Sequence, residues 1–151
     1  MGAKSRTKGA NGERQVVNYA TALGLSAQRQ IRTATTRNPD PGDVHIRTDA
    51  ALIVCQVKAG KQAQDASETL LGHWWGETLD QAVEAGGDVA LLVCQRRGVG
   101  MARPQEWVAI CHLHDLVWLV DGGVDTSNLP HLTVRLPLGS LLTRITTGGD
   151  L

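Results

Sequence analysis

Residues 42–60, GDVHIRTDAALIVCQVKAG, carry the apolar alternation of a buried hairpin together with three polar groups: Asp43 at the start, Gln56 and Lys58 near the end. Polar groups taken out of water are costly unless they find partners. Three on one hairpin therefore mark either a wetted surface or a site. Strand side chains alternate, which puts Leu52, Val54, Gln56 and Lys58 on one face and Ile53, Cys55 and Val57 on the other. A tight turn around Thr48–Asp49–Ala50, centred between Asp49 and Ala50, sets Asp43 opposite Gln56 with Lys58 as the diagonal neighbour. Cross-strand partners have Cβ atoms roughly 5 Å apart, close enough for two side-chain oxygens to share a cation. Glu13 adds a fourth group. It stands at the start of a helical apolar stripe that continues through Val17 and Ala20, from which an acid can point toward the hairpin.

Two carboxylates, one amide oxygen and one ammonium have a joint chemical use. Mg²⁺ takes oxygen ligands, keeps several waters and is usually held by one or two carboxylates plus substrate phosphate. Such an ion polarises a phosphodiester and helps to generate hydroxide from its bound water. A lysine beside it orients or deprotonates the attacking water and steadies the developing charge.

Glu13 on a first helix, P-D-P-G-D at 39–43 and Q-V-K at 56–58 together resemble the PD-(D/E)xK nuclease superfamily, and within it the archaeal-type and phage Holliday-junction resolvases. In that group G-x-E-R opens the first helix, as Gly12-Glu13-Arg14 nearly does here; a G-D-hydrophobic strand start follows, and the lysine motif lies on the next strand. The likeness covers residues 9–112 by the order of elements. It implies a restriction-endonuclease-like αβββαβ core, with Glu13, Asp43 and Gln56 as metal-binding residues and Lys58 as the catalytic lysine. It further implies Mg²⁺ as cofactor, with Mn²⁺ able to substitute, four-way DNA junctions as substrate and a homodimer. The departure is Gln56, where resolvases usually carry Glu; glutamine there resembles the Mrr-like restriction nucleases, which also use Q-x-K. An amide oxygen still ligates Mg²⁺ but contributes no charge.

Each of these residues alone has an ordinary role: Asp43 as a turn residue after Gly42, Lys58 as a strand-end charge, Glu13 as an acid at a helix start. Only their combination and order point to a nuclease. The nearest enzymatic alternative is an Mrr-like or other PD-(D/E)xK nuclease. The non-enzymatic one is a DNA-binding module of the same fold that no longer cuts, with Gln56 as the trace of decay. A third, a zinc-stabilised domain built on Cys111, His112 and His114, lacks a second Cys or His pair at zinc-finger spacing.

The elements that must position these groups follow from periodicity. Residues 1–10 are small and basic without an apolar period and read as an N-terminal arm; 11–151 read as a single domain. Asn11 is the expected N-cap of a first helix that Gly24 stops. Ser26 to Thr36 reads as a polar edge strand, TRNPDPGD as a loop, and VHIR and ALIVCQVK as the hairpin. A second helix carries the stripe Leu71, Trp75, Leu79, Ala82 and Val83, with Trp74 outside it as a dimer contact or a partly exposed ring. DVALLVCQ is a strand buried on both faces, EWVAICH another, and DLVWLV, LTVRL and SLLTRI read as a short helix, a strand and a terminal helix. The fold class is thus α/β, a small mixed central sheet flanked by helices.

Composition bounds the partners. Fifteen Lys plus Arg balance fifteen Asp plus Glu, so net charge alone argues for no polyanion, but the basic residues crowd the start of the chain. Lys4, Arg6, Lys8, Arg14, Arg32, Arg37 and Lys61 are the expected phosphate contacts, giving affinity without sequence preference, with Arg96, Arg97 and Arg103 as further candidates. Three cysteines inside apolar runs read as reduced core thiols. With no membrane-length apolar stretch and no signal-peptide pattern, the expected location is the cytoplasm, that of a host if the chain is phage-borne.

Overall fold

The computed structural model describes residues 3–30, 43–122 and 124–147. A parallel strand pair needs a long crossover, and the rest of the sheet does not. That rule shapes the fold. The strands β1 (Ser26–Arg29), β2 (Val44–Arg47), β3 (Leu52–Lys58), β4 (Val89–Cys94), β5 (Val108–His112) and β6 (Thr133–Pro137) lie side by side in chain order in one sheet. Every pair is antiparallel except β3 with β4. The crossover between those two holds a short helix α2 (Lys61–Gln64) and the long helix α3 (Glu68–Glu84). Ser67 caps α3, its hydroxyl oxygen accepting the Leu70 N–H at 3.1 Å.

Three helices cover the opposite face: α1 (Ala3–Ala22), α4 (Leu113–Val120) and α5 (Leu138–Thr147). Their apolar sides, with Val16, Ala20, Leu138, Leu141 and Leu142, pack onto Val44, Ile46, Ile53, Cys55, Val57 and the alternate residues of β4 and β5. On the α3 side, Trp74 packs on Leu92, Cys94 and Ile110, and Ala82 on Val54 and Ala90. β4, covered on both faces, is buried throughout. The order α1-β1-β2-β3-α3-β4 is the expected αβββαβ order in a mixed sheet between helical layers. No helix among the described residues is long and apolar enough to cross a membrane.

Four expectations are corrected. The first helix starts at Ala3, so the expected arm is, from that residue on, the opening turns of α1; Asn11 lies inside the helix, its Oδ1 accepting from Arg14 at 3.2 Å rather than capping. Alanine, lysine and arginine are good helix formers and extend a helix already anchored by Val16 and Ala20. The edge strand ends at Arg29, and residues 31–42, which include Arg32, Arg37 and most of the expected loop, lie outside the described residues. Trp74 is buried and Trp75 half-buried, the reverse of the expected order, because Trp74 covers the β4–β5 cluster. Val83, assigned to the buried stripe, is exposed.

Gly12 sets how closely α1 approaches the end of β3. A Cβ there would stand 2.7 Å from the Ala59 Cβ and 3.5 Å from a Val57 methyl. Both are close to the motif strand, so they cannot move without shifting it. Gly12→Ala is expected to lose about 1–3 kcal/mol of stability by overpacking, outweighing the gain in helix propensity, as read by urea denaturation.

Candidate active site

The hairpin pairs as its sequence predicts: Val44 with Cys55, His45 with Val54, Ile46 with Ile53 and Arg47 with Leu52. Thr48 closes the turn, its hydroxyl oxygen accepting the Ala51 N–H at 2.9 Å. One residue beyond the ladder, Asp43 is fixed by its own backbone and side chain. Its N–H donates to the Cys55 carbonyl at 2.9 Å, its carbonyl accepts from Gln30 N–H at 2.8 Å, and its Oδ2 accepts the Val57 N–H at 2.9 Å. The carboxylate thus lies against the backbone of the residue between Gln56 and Lys58. Its charge adds to burial in pushing the Cys55 thiol well above the usual range, which keeps that thiol protonated and inert.

Gln56 and Lys58 face α3. Gln56 is only 3% exposed, and its amide lies 2.7 Å from the hydroxyl of Thr78, itself fully buried. The same hydroxyl lies 2.7 Å from the Trp74 carbonyl one turn back. A hydroxyl has one proton to donate and lone pairs to accept with. Both short contacts are fully satisfied when the proton goes to the Trp74 carbonyl and the Gln56 amide nitrogen donates to Thr78, an orientation reached by turning the amide over. Lys58 is half-buried, its Nζ 5.2 Å from the centroid of the Trp74 ring, within range of a cation–π interaction.

Glu13 stands at the same end of the sheet but on the other layer. Its Oε2 accepts from Nε and Nη2 of Arg29 at 3.4 and 3.3 Å, and its side chain is 16% exposed. Arg29 is the cross-strand partner of Val44, so this pair ties α1 to the strand next to Asp43. Charge-assisted bonds of this type are usually about 2.7–2.9 Å, so the contact is loose. The structure therefore brings Asp43, Gln56 and Lys58 to one strand end and holds Glu13 nearby with a cation of its own. Among the described residues no three His, Cys, Asp or Glu side chains are arranged to hold a metal ion. Carboxylate and amide oxygens are hard donors, of the kind that suit Mg²⁺ rather than a soft metal.

The residues that sequence reasoning missed are Thr78, Trp74 and Arg29. Thr78 had one local signal: a hydroxyl residue inside the apolar face of a helix, where it bonds the carbonyl four residues back. Thr78→Val is expected to cost about 1–3 kcal/mol by leaving the buried Gln56 amide unpaired, with Thr78→Ser recovering most of it, as read by chemical denaturation.

Of the expected DNA contacts, Arg14 and Lys61 are exposed, Lys4, Arg6 and Lys8 fall on the first turns of α1, and Arg32 and Arg37 lie outside the described residues. Arg97 and Arg103 are exposed but paired, with Asp65 at 2.6 Å and Glu106 at 3.0 Å.

Cys111 is turned away from His112 and His114. Cys111 faces the α1 layer, whereas His112 meets the edge of Trp75 on the α3 side at 5.1 Å and stacks on His114 at 4.9 Å. Burial holds His112 below the ordinary histidine range, with His114 and His131 adding to the shift and Asp115 opposing it. The unfolded chain therefore takes up this proton first. The stability tied to neutral His112 is complete above the ordinary histidine pKa of about 6.5 and is lost as pH falls below it. His112→Phe, which keeps the ring against Trp75, is expected to flatten the fall in thermal midpoint between neutral and mildly acid pH.

Compared with known proteins, the chain matches no family model and no curated protein.

Proposed function

We propose that the protein is a metal-dependent DNA endonuclease of the PD-(D/E)xK kind, most like a Holliday-junction resolvase. One observation carries the reading: the Asp43 carboxylate lies against the strand backbone between Gln56 and Lys58. That juxtaposition is what hydrolysis of a phosphodiester needs from a protein: an acid and an amide oxygen for a hard cation and an ammonium for the reacting water. Asp43 and Gln56 would hold Mg²⁺ (or Mn²⁺) in this reading, with Glu13, whose contact to Arg29 is loose, as a further acid for it. When bound, the ion polarises the phosphodiester and acidifies a bound water.

The chain's own residues do the rest. Lys58, steadied by the Trp74 ring, orients the attacking water and offsets the charge that develops on the phosphate. Asp43 is locked by three backbone hydrogen bonds, so its carboxylate needs little reorganisation. Thr78 sets the Gln56 amide. Lys61 and Arg14 contribute phosphate contacts that carry no sequence information. Junction resolution requires two symmetric cuts, so the reading includes a homodimer with one site for each cut strand.

A second reading has its own support. Gln56 brings no charge and is hydrogen-bonded within the protein, and Glu13 is neutralised by Arg29. Both suit a DNA-binding module of the same fold that does not cut. Cleavage of an end-labelled four-way junction and of duplexes matching its arms, with Mg²⁺ and with chelator, separates the readings. Paired symmetric nicks on the junction alone are expected. Equal cutting of the duplexes points to an Mrr-like or general nuclease, and binding without cutting in Mg²⁺ points to the module.

A further inference from the structure

Next to the lysine strand, on the same face, a groove of about 470 Å³ opens between the start of α3 and the ends of β4, β5 and β6. Its floor is apolar, with Leu71, Cys94 and Ile110, and its rim carries Arg96, Arg97 and Arg135. Cys94 is the cross-strand partner of Lys58, so the groove begins one strand spacing, about 4.8 Å, from the lysine. The acids around it are already matched. Arg135 holds Glu68 in a bidentate pair with one contact at 2.9 Å, Arg97 holds Asp65, and Arg103 holds Glu106. Arg96 is left exposed with no ion pair among the described residues. Gln95, the buried amide of that wall, is spent on the protein, accepting the Gly60 N–H and donating to the Val99 carbonyl.

We propose that this groove receives an unpaired nucleotide of the DNA strand that passes Lys58, its base face on the apolar floor and its phosphate at Arg96. The proposal rests on the DNA-cutting reading of the adjacent site and deepens it by naming the substrate feature that is read. Intact duplex turns its phosphates outward and keeps its base faces stacked, so it has nothing to place on an apolar floor. An unstacked base does, and apolar contact through the base face is tolerant of sequence because every base has a face to offer. The volume, within the roughly 300–1,000 Å³ of small-ligand sites, suits a single nucleotide. A groove of this kind next to the reacting lysine favours DNA that is distorted, branched or single-stranded there.

The test measures binding in chelator, so cleavage plays no part in it. Fluorescence anisotropy compares a short labelled oligothymidylate with the same strand carrying abasic sites. The intact strand is expected to bind the wild type about tenfold or more tightly than the abasic one. Ala66→Trp, which fills the groove from its α3 side, is expected to erase that difference, and the exposed Arg96→Glu to weaken both strands alike. Equal binding of intact and abasic strands by the wild type, no single-strand binding at all, or a full difference in Ala66→Trp overturns the proposal. The two readings fail separately. A wild type that prefers the intact strand but cuts nothing in Mg²⁺ keeps the groove and loses the nuclease. One that cuts junctions but binds both strands alike keeps the nuclease and loses the groove.

Discussion

Lys58→Ala is expected to lower the rate of DNA cleavage by about 10²–10⁴-fold, the range for removal of a positioned proton-transfer group, and to leave the fold in place. The two halves of that expectation have separate causes. Lys58 is at the last position of its strand and half-buried, with its Nζ 5.2 Å from the centroid of the Trp74 ring. Losing a partly exposed cation–π contact costs about 0.5–1 kcal/mol, a small part of a typical domain's stability. The ammonium, by contrast, is the only cation placed on the motif strand beside Asp43 and Gln56 among the described residues. Lys58→Arg separates charge from proton transfer. A guanidinium keeps the charge and stacks on tryptophan, but it stays protonated and reaches along a different geometry. It is expected to retain junction binding and to recover little of the cleavage. Single-turnover cleavage beside anisotropy and a thermal melt reads all three quantities. Wild-type rates in Lys58→Ala would remove the lysine from the reaction and leave it as a cover for Trp74.

The hairpin was legible because two independent signals agreed on its register. Val44 and Ile46 alternate against Ile53, Cys55 and Val57, and the turn around Thr48 allows only a short connection, so a one-residue slip would turn apolar side chains outward. The crossover helix was legible as an element but not in its rotation. Ala82 is buried as the stripe expects, yet Leu71, Trp75 and Leu79 are only half-buried, while Trp74, Thr78 and Gln81 go under. Hydrophobicity favours the first set. The second wins because the sheet beneath supplies Gln56 for Thr78 and Lys58 for Trp74, contacts that link residues far apart in the chain. The start of α1 was missed for a related reason, since residues before Asn11 have helix propensity without an apolar period. At the site, strand alternation was enough to group Asp43, Gln56 and Lys58. Helical spacing placed Glu13 on the inner side of α1 but could not find Arg29, which comes from a strand on the far side of a turn.

Asp43→Asn and Asp43→Ala are expected to part company. Asp43 Oδ2 accepts the Val57 N–H at 2.9 Å, a bond that an asparagine oxygen can also accept. Asp43→Asn therefore keeps the clasp between β2 and β3 and is expected to melt close to the wild type. It removes the charge that a hard cation requires, so Mg²⁺-dependent cleavage is expected to fall below detection. Asp43→Ala takes away the acceptor as well. The Val57 N–H, part-buried at the end of the ladder, then loses its partner, at a cost of about 1–3 kcal/mol. The pair of variants thus separates the two uses of one carboxylate. Cleavage lost in both, with stability lost only in Asp43→Ala, identifies a metal-binding acid whose position is set by its own strand pairing. If Asp43→Asn instead cuts as the wild type does, the carboxylate is only the clasp. The cation must then be held by other residues, and the likeness to the PD-(D/E)xK motif loses its central acid.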